Sequence, residues 1–337
     1  MKLLVWGVGA MGGTIGAYLA RAGHDVTFVD REGDHVAAMT ERGLTLVGPI
    51  DQFTVPVRAY SPEGLDGVFP VIFLCVKAQD TARATRALAP HLAPTGYVVS
   101  VQNGLNELVI ADVVGPERTV GCFVNFGADY QEPGLIHFGG RGAVVLGELD
   151  GGATPRIREL YGVFGDFEPD AVVTDNIWGY LWSKLAYGAM LFATALGNDS
   201  IADSLADVAH RDVYIRLGHE VLTVAIAEGI RPEAFDGFDP HAFVPTAPRA
   251  LSERSLDDMV AFNRRSAKTH SGIWRDLAIR KRRTEVDAQL GPIVDVARRV
   301  GVPTPLTSRL IELIHEIEEG WRAQSAANLD ALDAVGG

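Results

Sequence analysis

The first thirty residues constrain the fold more tightly than any other stretch. Lys2-Leu3-Leu4-Val5-Trp6 is a short apolar run of buried-strand composition, and it passes directly into Gly7-Val8-Gly9-Ala10-Met11-Gly12, a G-x-G-x-x-G turn. Beyond it Ile15, Tyr18, Leu19 and Ala22 recur at helical spacing, and Gly23 stands where a helix C-terminus favours glycine. His24 to Val29 reads as a second strand that ends in the carboxylate of Asp30. Strand, glycine turn, helix, strand and acid in that order are the context of a dinucleotide-binding βαβ unit. Gly7 permits the tight turn, Gly9 lets the backbone approach a pyrophosphate, and Gly12 lets the helix pack close on the strand. The free amides of the helix start, Ala10 and Met11 among them, then hold the pyrophosphate. Asp30 is placed to accept hydrogen bonds from the adenosine ribose and to repel a 2′-phosphate, whereas Arg31 beside it is able to hold that phosphate or stack on adenine. The cofactor is therefore NAD or NADP, with the lean to NAD.

Composition narrows the class. A chain of 337 residues with 47% apolar content has enough for two domains with sizeable cores. With 43 acidic against 30 basic residues and a net charge of -13, no electrostatic case exists for nucleic acid or an anionic membrane. No apolar run approaches the length of a spanning helix, and the chain enters a strand at once, so neither a membrane segment nor a leader is expected. Cys75 and Cys122 each sit in a strand-like run and read as reduced core residues, and no Cys/His cluster has metal-ligand spacing. The expectation is a soluble, cytoplasmic enzyme that carries no metal.

Along the chain, Gly33 to Gly43 reads as a short helix and Leu44 to Arg58 as one or two strands. Val71 to Val76 is continuously apolar, as a central parallel strand covered on both faces should be. Lys77 to Asp80 follows at its end. Tyr97 to Val101 is another strand, followed by Gln102-Asn103-Gly104. Val120 to Phe126 and the strand-rich Gly134 to Glu148 are expected to complete the sheet. Ligands bind at the carboxyl ends of strands in such sheets, so Gly7 to Gly12, Lys77 to Asp80 and Gln102 to Gly104 all point at one crevice. From Asn176 the pattern turns to long helices without strand runs. The fold class is thus α/β, an N-terminal Rossmann-type doubly wound sheet with an all-α C-terminal domain. The expected domains are residues 1–175 and 176–325, with 326–337 an Ala-rich tail prone to fraying.

A second constellation lies in the helical half. From Ile177 to Gly197, Trp178, Leu181, Trp182, Leu185, Ala189, Phe192 and Leu196 form an apolar stripe, while Ile177, Tyr180, Leu191 and Ala195 make the other side apolar too. Lys184 falls in the middle of that second side, where an ammonium is costly unless paired or employed. It snorkels to the surface, pairs structurally, or serves chemistry. Gly188, one turn on, weakens the helix by roughly 1 kcal/mol relative to alanine and makes space for a ligand. Thr269 to Asp276 brings His270 and Ser271, but no hydrolytic G-x-S-x-G accompanies them. The basic run Arg280 to Arg283 reads by itself as a solvated face.

Taken together these residues resemble the ketopantoate reductases (2-dehydropantoate 2-reductases) over nearly the whole chain. The likeness rests on Gly7 to Gly12, Val76-Lys77-Ala78, Gln102-Asn103-Gly104, Pro133 to His137, Trp182-Ser183-Lys184-Leu185 and Thr284-Glu285-Val286-Asp287. It implies NAD(P)H-dependent reduction of a 2-oxo acid to a 2-hydroxy acid, a step toward pantothenate. By that resemblance Lys184 would be the general acid, and Asn103 would help position nicotinamide and substrate. Glu285 would hydrogen-bond the substrate or orient Lys184, and Lys77 would contact the cofactor phosphates or the cleft. Such a role suits a desolvated lysine, which both polarises a carbonyl and donates a proton. The chain also departs from the family. Relatives usually carry asparagines one and two turns after this lysine, where Gly188 and Phe192 stand here, and a serine where Gly272 follows Ser271. Asp30 is unusual for a family in which NADP is common. Gly188, Phe192, His270 and Ser271 are therefore the candidate substrate residues, and their character suits a bulkier or more apolar substrate.

Three readings compete at this point: ketopantoate reductase itself; an NAD-linked dehydrogenase of another 2-oxo or 2-hydroxy acid or a secondary alcohol; and a nucleotide-binding sensor without chemistry. Retention of both Lys184 and Glu285 argues against the sensor. A helical second domain often forms a dimer interface, so a homodimer is entertained.

Overall fold

A computed structural model describes residues 1–335; Gly336 and Gly337, the end of the expected tail, lie outside it. The chain divides into two compact units between Ile177 and Trp178. The first contains β1 (Lys2–Trp6), α1 (Ala10–Arg21), β2 (Asp25–Val29), α2 (Gly33–Arg42), β3 (Leu44–Val47), β4 (Phe53–Val55) and β5 (Arg58–Tyr60). It continues through β6 (Phe69–Leu74), α3 (Thr81–Leu88), β7 (Leu92–Ser100), α4 (Asn106–Val114), β8 (Thr119–Val124), β9 (Gly127–Glu132) and β10 (Leu135–Gly140). β11 (Val144–Glu148), α5 (Pro155–Gly165) and β12 (Val172–Val173) complete it.

Among the described residues the strands form an eight-stranded sheet of order β12-β11-β8-β7-β6-β1-β2-β5 and a four-stranded sheet of order β4-β3-β10-β9. The large sheet is parallel except where β11 meets β8. Its central strands are apolar over Leu3–Trp6 and Val71–Leu74 because alternate residues enter different cores. Leu3 and Val5 of β1 and Val71 and Phe73 of β6 face one, while Leu4, Trp6, Ile72 and Leu74 face the other. Strand order reverses at β1 and β6, so the loops leaving their carboxyl ends open on the switch point where such sheets bind ligands.

The strand-rich segment from Gly134 to Glu148 does not simply complete that sheet. β11 joins it, but β10 pairs with β9 and with the distant β3, through Leu135 to Thr45, in the small sheet. The small sheet covers the face of α1 that the large sheet leaves open. α1 is buried on both sides, and its glycines allow this: a Cβ at Gly13 would collide with Ile136 of β10, and one at Gly16 with Phe28 of β2.

The second unit is helical. α6 (Ile177–Thr194) begins at the last residue of the first unit, and α7 (Ile201–Ala206), α8 (Arg211–Ala227), α9 (Arg249–Arg264) and α10 (Gly272–Ala278) follow. α11 (Val286–Gln289), α12 (Gly291–Val300), α13 (Pro305–Glu318) and α14 (Ala327–Asp333) complete it. α8 packs against α9, α12, α13 and α14. Among the described residues no helix is long and apolar enough to cross a membrane.

The expected fraying tail is instead a packed helix. The alanines mask Leu329 and Leu332, which sit three apart on one face of α14 and are buried, and Asn328 donates to Leu196 O at 3.0 Å. Arg216 of α8 donates to Val335 O (2.7 Å) and Asp333 O (2.8 Å). His210 lies between the carboxylates of Asp207 (2.6 Å) and Asp330 (3.0 Å). Burial lowers the His210 pKa, but the hydrogen bonds to Asp330 and Asp207 outweigh it, and the net shift is upward. A pKa raised in the folded state gives stability that is complete below the unfolded histidine value and lost as pH rises through the folded one. His210→Gln should therefore lower Tm, followed by circular dichroism, by about 2 °C near pH 5.5 because both partner carboxylates are solvent-screened. The difference should disappear in alkaline buffer.

Candidate active site

The glycine loop is held by close packing. Gly7 adopts a positive φ of 96°, and a Cβ there would lie 2.9 Å from Val76 N in the loop that leaves β6. A Cβ at Gly12 would collide with Gly7 O and stand 2.8 Å from Cys75 Cβ. Gly9 differs: its φ is -69°, and no protein atom lies within 4 Å of where its Cβ would be. The protein's own packing thus demands the first and third glycines but gives no reason for the second. α1 starts at this point with no side-chain cap, and its first ladder bond runs from Gly13 N to Gly9 O (2.9 Å). The amides of Ala10, Met11 and Gly12 consequently lie outside the helical ladder, at the positive end of the helix dipole. This is an anion cradle with a gap at Gly9, and a dinucleotide pyrophosphate fits it.

Asp30 is fixed toward the loop by accepting from Val8 N (2.7 Å) and Glu32 N (3.0 Å). Buried His35 secures the other side of Val8. Gly134 N donates to its Nδ1 at 2.9 Å, so Nε2 carries the proton and donates to Val8 O at 2.9 Å. Arg31 is exposed and lies among acids, with Nε 3.2 Å from Glu32 and Nη1 3.4 Å from Asp80. Asp80 also takes Arg83 at 2.5 Å.

A buried chain of side chains joins the loops after β6 and β7. Gln102 Nε2 donates to Val76 O (2.8 Å) and to Thr81 Oγ1 (2.8 Å). Thr81 Oγ1 donates to Asn106 Oδ1 (2.7 Å), and Asn106 Nδ2 donates to Asn103 O (2.6 Å). The carbonyls of Val76 and Asn103 only accept, which orients both amides, and Thr81 Oγ1 passes its single proton on to Asn106, so the direction of the chain follows. Lys77, at the head of the turn Ala78–Asp80, and Asn103 are both partly exposed on these stitched loops.

In the second unit α6 is buried nearly all round. From Tyr180 onward its partly exposed residues are Tyr180, Lys184, Gly188 and Leu191, which form one narrow strip. Lys184 sits at its centre. Phe192 is turned fully into the core at 0% exposure, so Leu191 takes the place on the strip that the sequence suggested for Phe192. The helical advance of 100° per residue decides this, since two turns from 184 falls between 191 and 192. Beyond Gly188's own helix backbone and chain neighbours, the only described heavy atom within 4 Å of a Cβ there is Gln289 Oε1, at 3.9 Å. Gln289 ends α11, and its N–H bonds Glu285 O at 2.9 Å, one turn back. Thr284 is anchored by donating N–H and Oγ1 to Glu318 (2.7 Å each), while Glu285 is partly exposed.

The segment at Thr269 is structural in its local geometry. Ser271 Oγ caps α10 by accepting from Trp274 N (3.1 Å), and His270 lies against the Trp274 ring with centroids 4.1 Å apart. His35, Thr81, Asn106 and Gln289 were not apparent from sequence, because nothing in their spacing marks them and only their partners do.

Two family models match the chain: ketopantoate reductase PanE/ApbA over residues 3–151 and its C-terminal counterpart over residues 176–318. The chain belongs to the ketopantoate reductase family. It is 28% identical to the 2-dehydropantoate 2-reductase of Pyrococcus abyssi, over 93% of this chain and 97% of that one. It is also 28% identical to the enzyme of Halobacterium salinarum, over 93% and 98%. A ketopantoate reductase from Ralstonia eutropha superposes with a TM-score of 0.79 at 28% identity, covering 95% of this chain and 99% of that one. D-mandelate dehydrogenase in complex with NADH and anilino(oxo)acetate shares the fold, with a TM-score of 0.82 at 23% identity over 95% and 99%. The protein is an NAD(P)-dependent oxidoreductase acting on CH–OH.

Because a Cβ at 188 meets nothing closer than 3.9 Å, Gly188→Ala should stabilise α6 by about 1 kcal/mol and raise Tm by about 2 °C. The same methyl should raise KM for the oxo acid and leave KM for the nicotinamide nucleotide unchanged.

Proposed function

We propose that this protein reduces a 2-oxo acid to the 2-hydroxy acid with NADH, and that Lys184 is the general acid. The observation that carries the reading is Lys184 at the centre of the open strip that runs along α6 from Tyr180, with the missing side chain of Gly188 beside it. An ammonium there polarises the C2 carbonyl and protonates its oxygen as negative charge develops. When bound, the reduced nicotinamide supplies the hydride. Glu285 orients Lys184 or the substrate, and Asn103 aligns the nicotinamide and substrate from a loop braced by Asn106. Ala10, Met11 and Gly12 amides hold the pyrophosphate, Gly9 admits it, and Lys77 adds a cation for the phosphates.

The preference for NAD rests on charge. Asp30, Glu32 and Asp34 follow β2, Asp80 lies beside Arg31, and Arg31 is already engaged by Glu32 and Asp80 while Asp80 also takes Arg83. A 2′-phosphate brought there meets a surplus of negative charge, whereas a ribose hydroxyl meets a carboxylate able to accept its proton. For the substrate, ketopantoate follows from the family. A second reading, an acid with a bulky apolar or aromatic group, is favoured by Gly188 and Leu191 on the strip and by D-mandelate dehydrogenase having the same fold.

Initial rates of the wild type and Lys184→Met, with ketopantoate and phenylglyoxylate against NADH and NADPH, test the reading. Lys184→Met should lose about a hundredfold or more in kcat with KM for NADH unchanged. NADH should exceed NADPH by about tenfold in kcat/KM. Unchanged turnover in the variant would remove Lys184 from the chemistry, and preference for NADPH would show that Arg31 outweighs the acids.

A further inference from the structure

We propose that Gln289 is a substrate-recognition residue, whose carboxamide hydrogen-bonds a hydroxyl on the carbon chain of the 2-oxo acid. The inference rests on the reductase reading above and deepens its substrate class. Gln289 is only 7% exposed and lies between Val286 (1%) and Leu290 (0%) in a sequence position that packing alone would fill with an aliphatic residue. Its backbone N–H bonds Glu285 O, yet its carboxamide has no hydrogen-bond partner among the described residues. Neither polar atom of that carboxamide is among the fully buried ones, so the amide opens on space from which a ligand can bond it.

The geometry identifies where that partner binds. Gln289 Oε1 is the one described atom facing the empty Cβ position of Gly188, at 3.9 Å, beyond that glycine's own helix. Gly188 is one turn from Lys184 on the strip, and Gln289 is one turn from Glu285 on α11. The carboxamide therefore borders the space next to the two residues assigned to the chemistry. A carboxamide offers one acceptor and two donors, so in either rotation of its terminal plane it meets a hydroxyl, which both donates and accepts. With no side chain at position 188, the polar group that borders this space comes from the facing α11.

The test uses two acids that differ by a single hydroxyl: ketopantoate and 3,3-dimethyl-2-oxobutanoate. Their kcat/KM values with NADH are compared in the wild type, Gln289→Leu, Gln289→Met and the double variant Gln289→Leu/Gly188→Asn, with Tm measured for each. The wild type should favour the hydroxylated acid by at least about tenfold. Both single variants should bring the ratio close to one, through KM for ketopantoate, with turnover of the dimethyl acid and Tm maintained. The double variant should recover part of the preference. A ratio unchanged in the folded single variants would overturn the assignment, as would a wild type that treats the two acids alike; either result leaves the reductase reading standing. A wild type that reduces neither these acids nor phenylglyoxylate with either nucleotide would overturn that reading and the assignment with it.

Discussion

The close approach of the glycine loop to the strand beside it is the constraint on which the first unit depends. Gly7 and Gly12 press against Cys75 and Val76 with no room for a methyl group, and this joins the loop after β1 to the loop after β6 at the reversal of the sheet. Asp30 then fixes the amide of Val8 and His35 its carbonyl, so the loop is held from both sides. Fixed amides are what make a helix N-terminus an anion site of definite shape. The same rigidity passes outward through Gln102, Thr81 and Asn106 to Asn103.

Glycines in this chain separate into two physical kinds. Those at 7, 12, 13 and 16 are demanded by neighbouring protein atoms, and a side chain at any of them would push apart packed elements. Those at 9 and 188 meet almost nothing, although each stands in a segment that carries functional side chains or free amides. Gly188 even weakens its helix, since glycine is among the poorest helix formers. Gly23, Gly67 and Gly229 have open space too, so it is position, beside Lys184 in one unit and beside free amides in the other, that is the basis for assigning Gly188 and Gly9 to ligands.

Much of this was legible in the sequence because local periodicity encodes it. The first βαβ unit, the apolar run at Val71 and the change to helices after Asn176 all follow from patterns within a few residues of one another. The small sheet was not legible, because β10 finds its partner in β3 some ninety positions earlier and short strands carry little signal of such pairing. α14 was hidden by alanines whose two intervening leucines decide its burial. On α6 the sequence singled out Lys184 and Gly188, but a stripe drawn at three- and four-residue steps does not settle whether Leu191 or Phe192 is open, and the answer is Leu191. His35 and Gln289 carry no motif at all. Their meaning lies in what they touch, Val8 and Gly134 in one case and the empty face of Gly188 in the other.

The central claim, that the glycine loop cradles a nicotinamide dinucleotide, is tested most directly by titrating NADH into the wild type and Gly9→Val and following nicotinamide fluorescence. A side chain at position 9 meets no protein atom within 4 Å of its Cβ, so the variant should fold with nearly the wild-type Tm. Its Kd for NADH should nevertheless rise by at least about a hundredfold, because the branched side chain stands where the pyrophosphate must approach the backbone. A folded Gly9→Val that binds NADH as the wild type does would contradict the account.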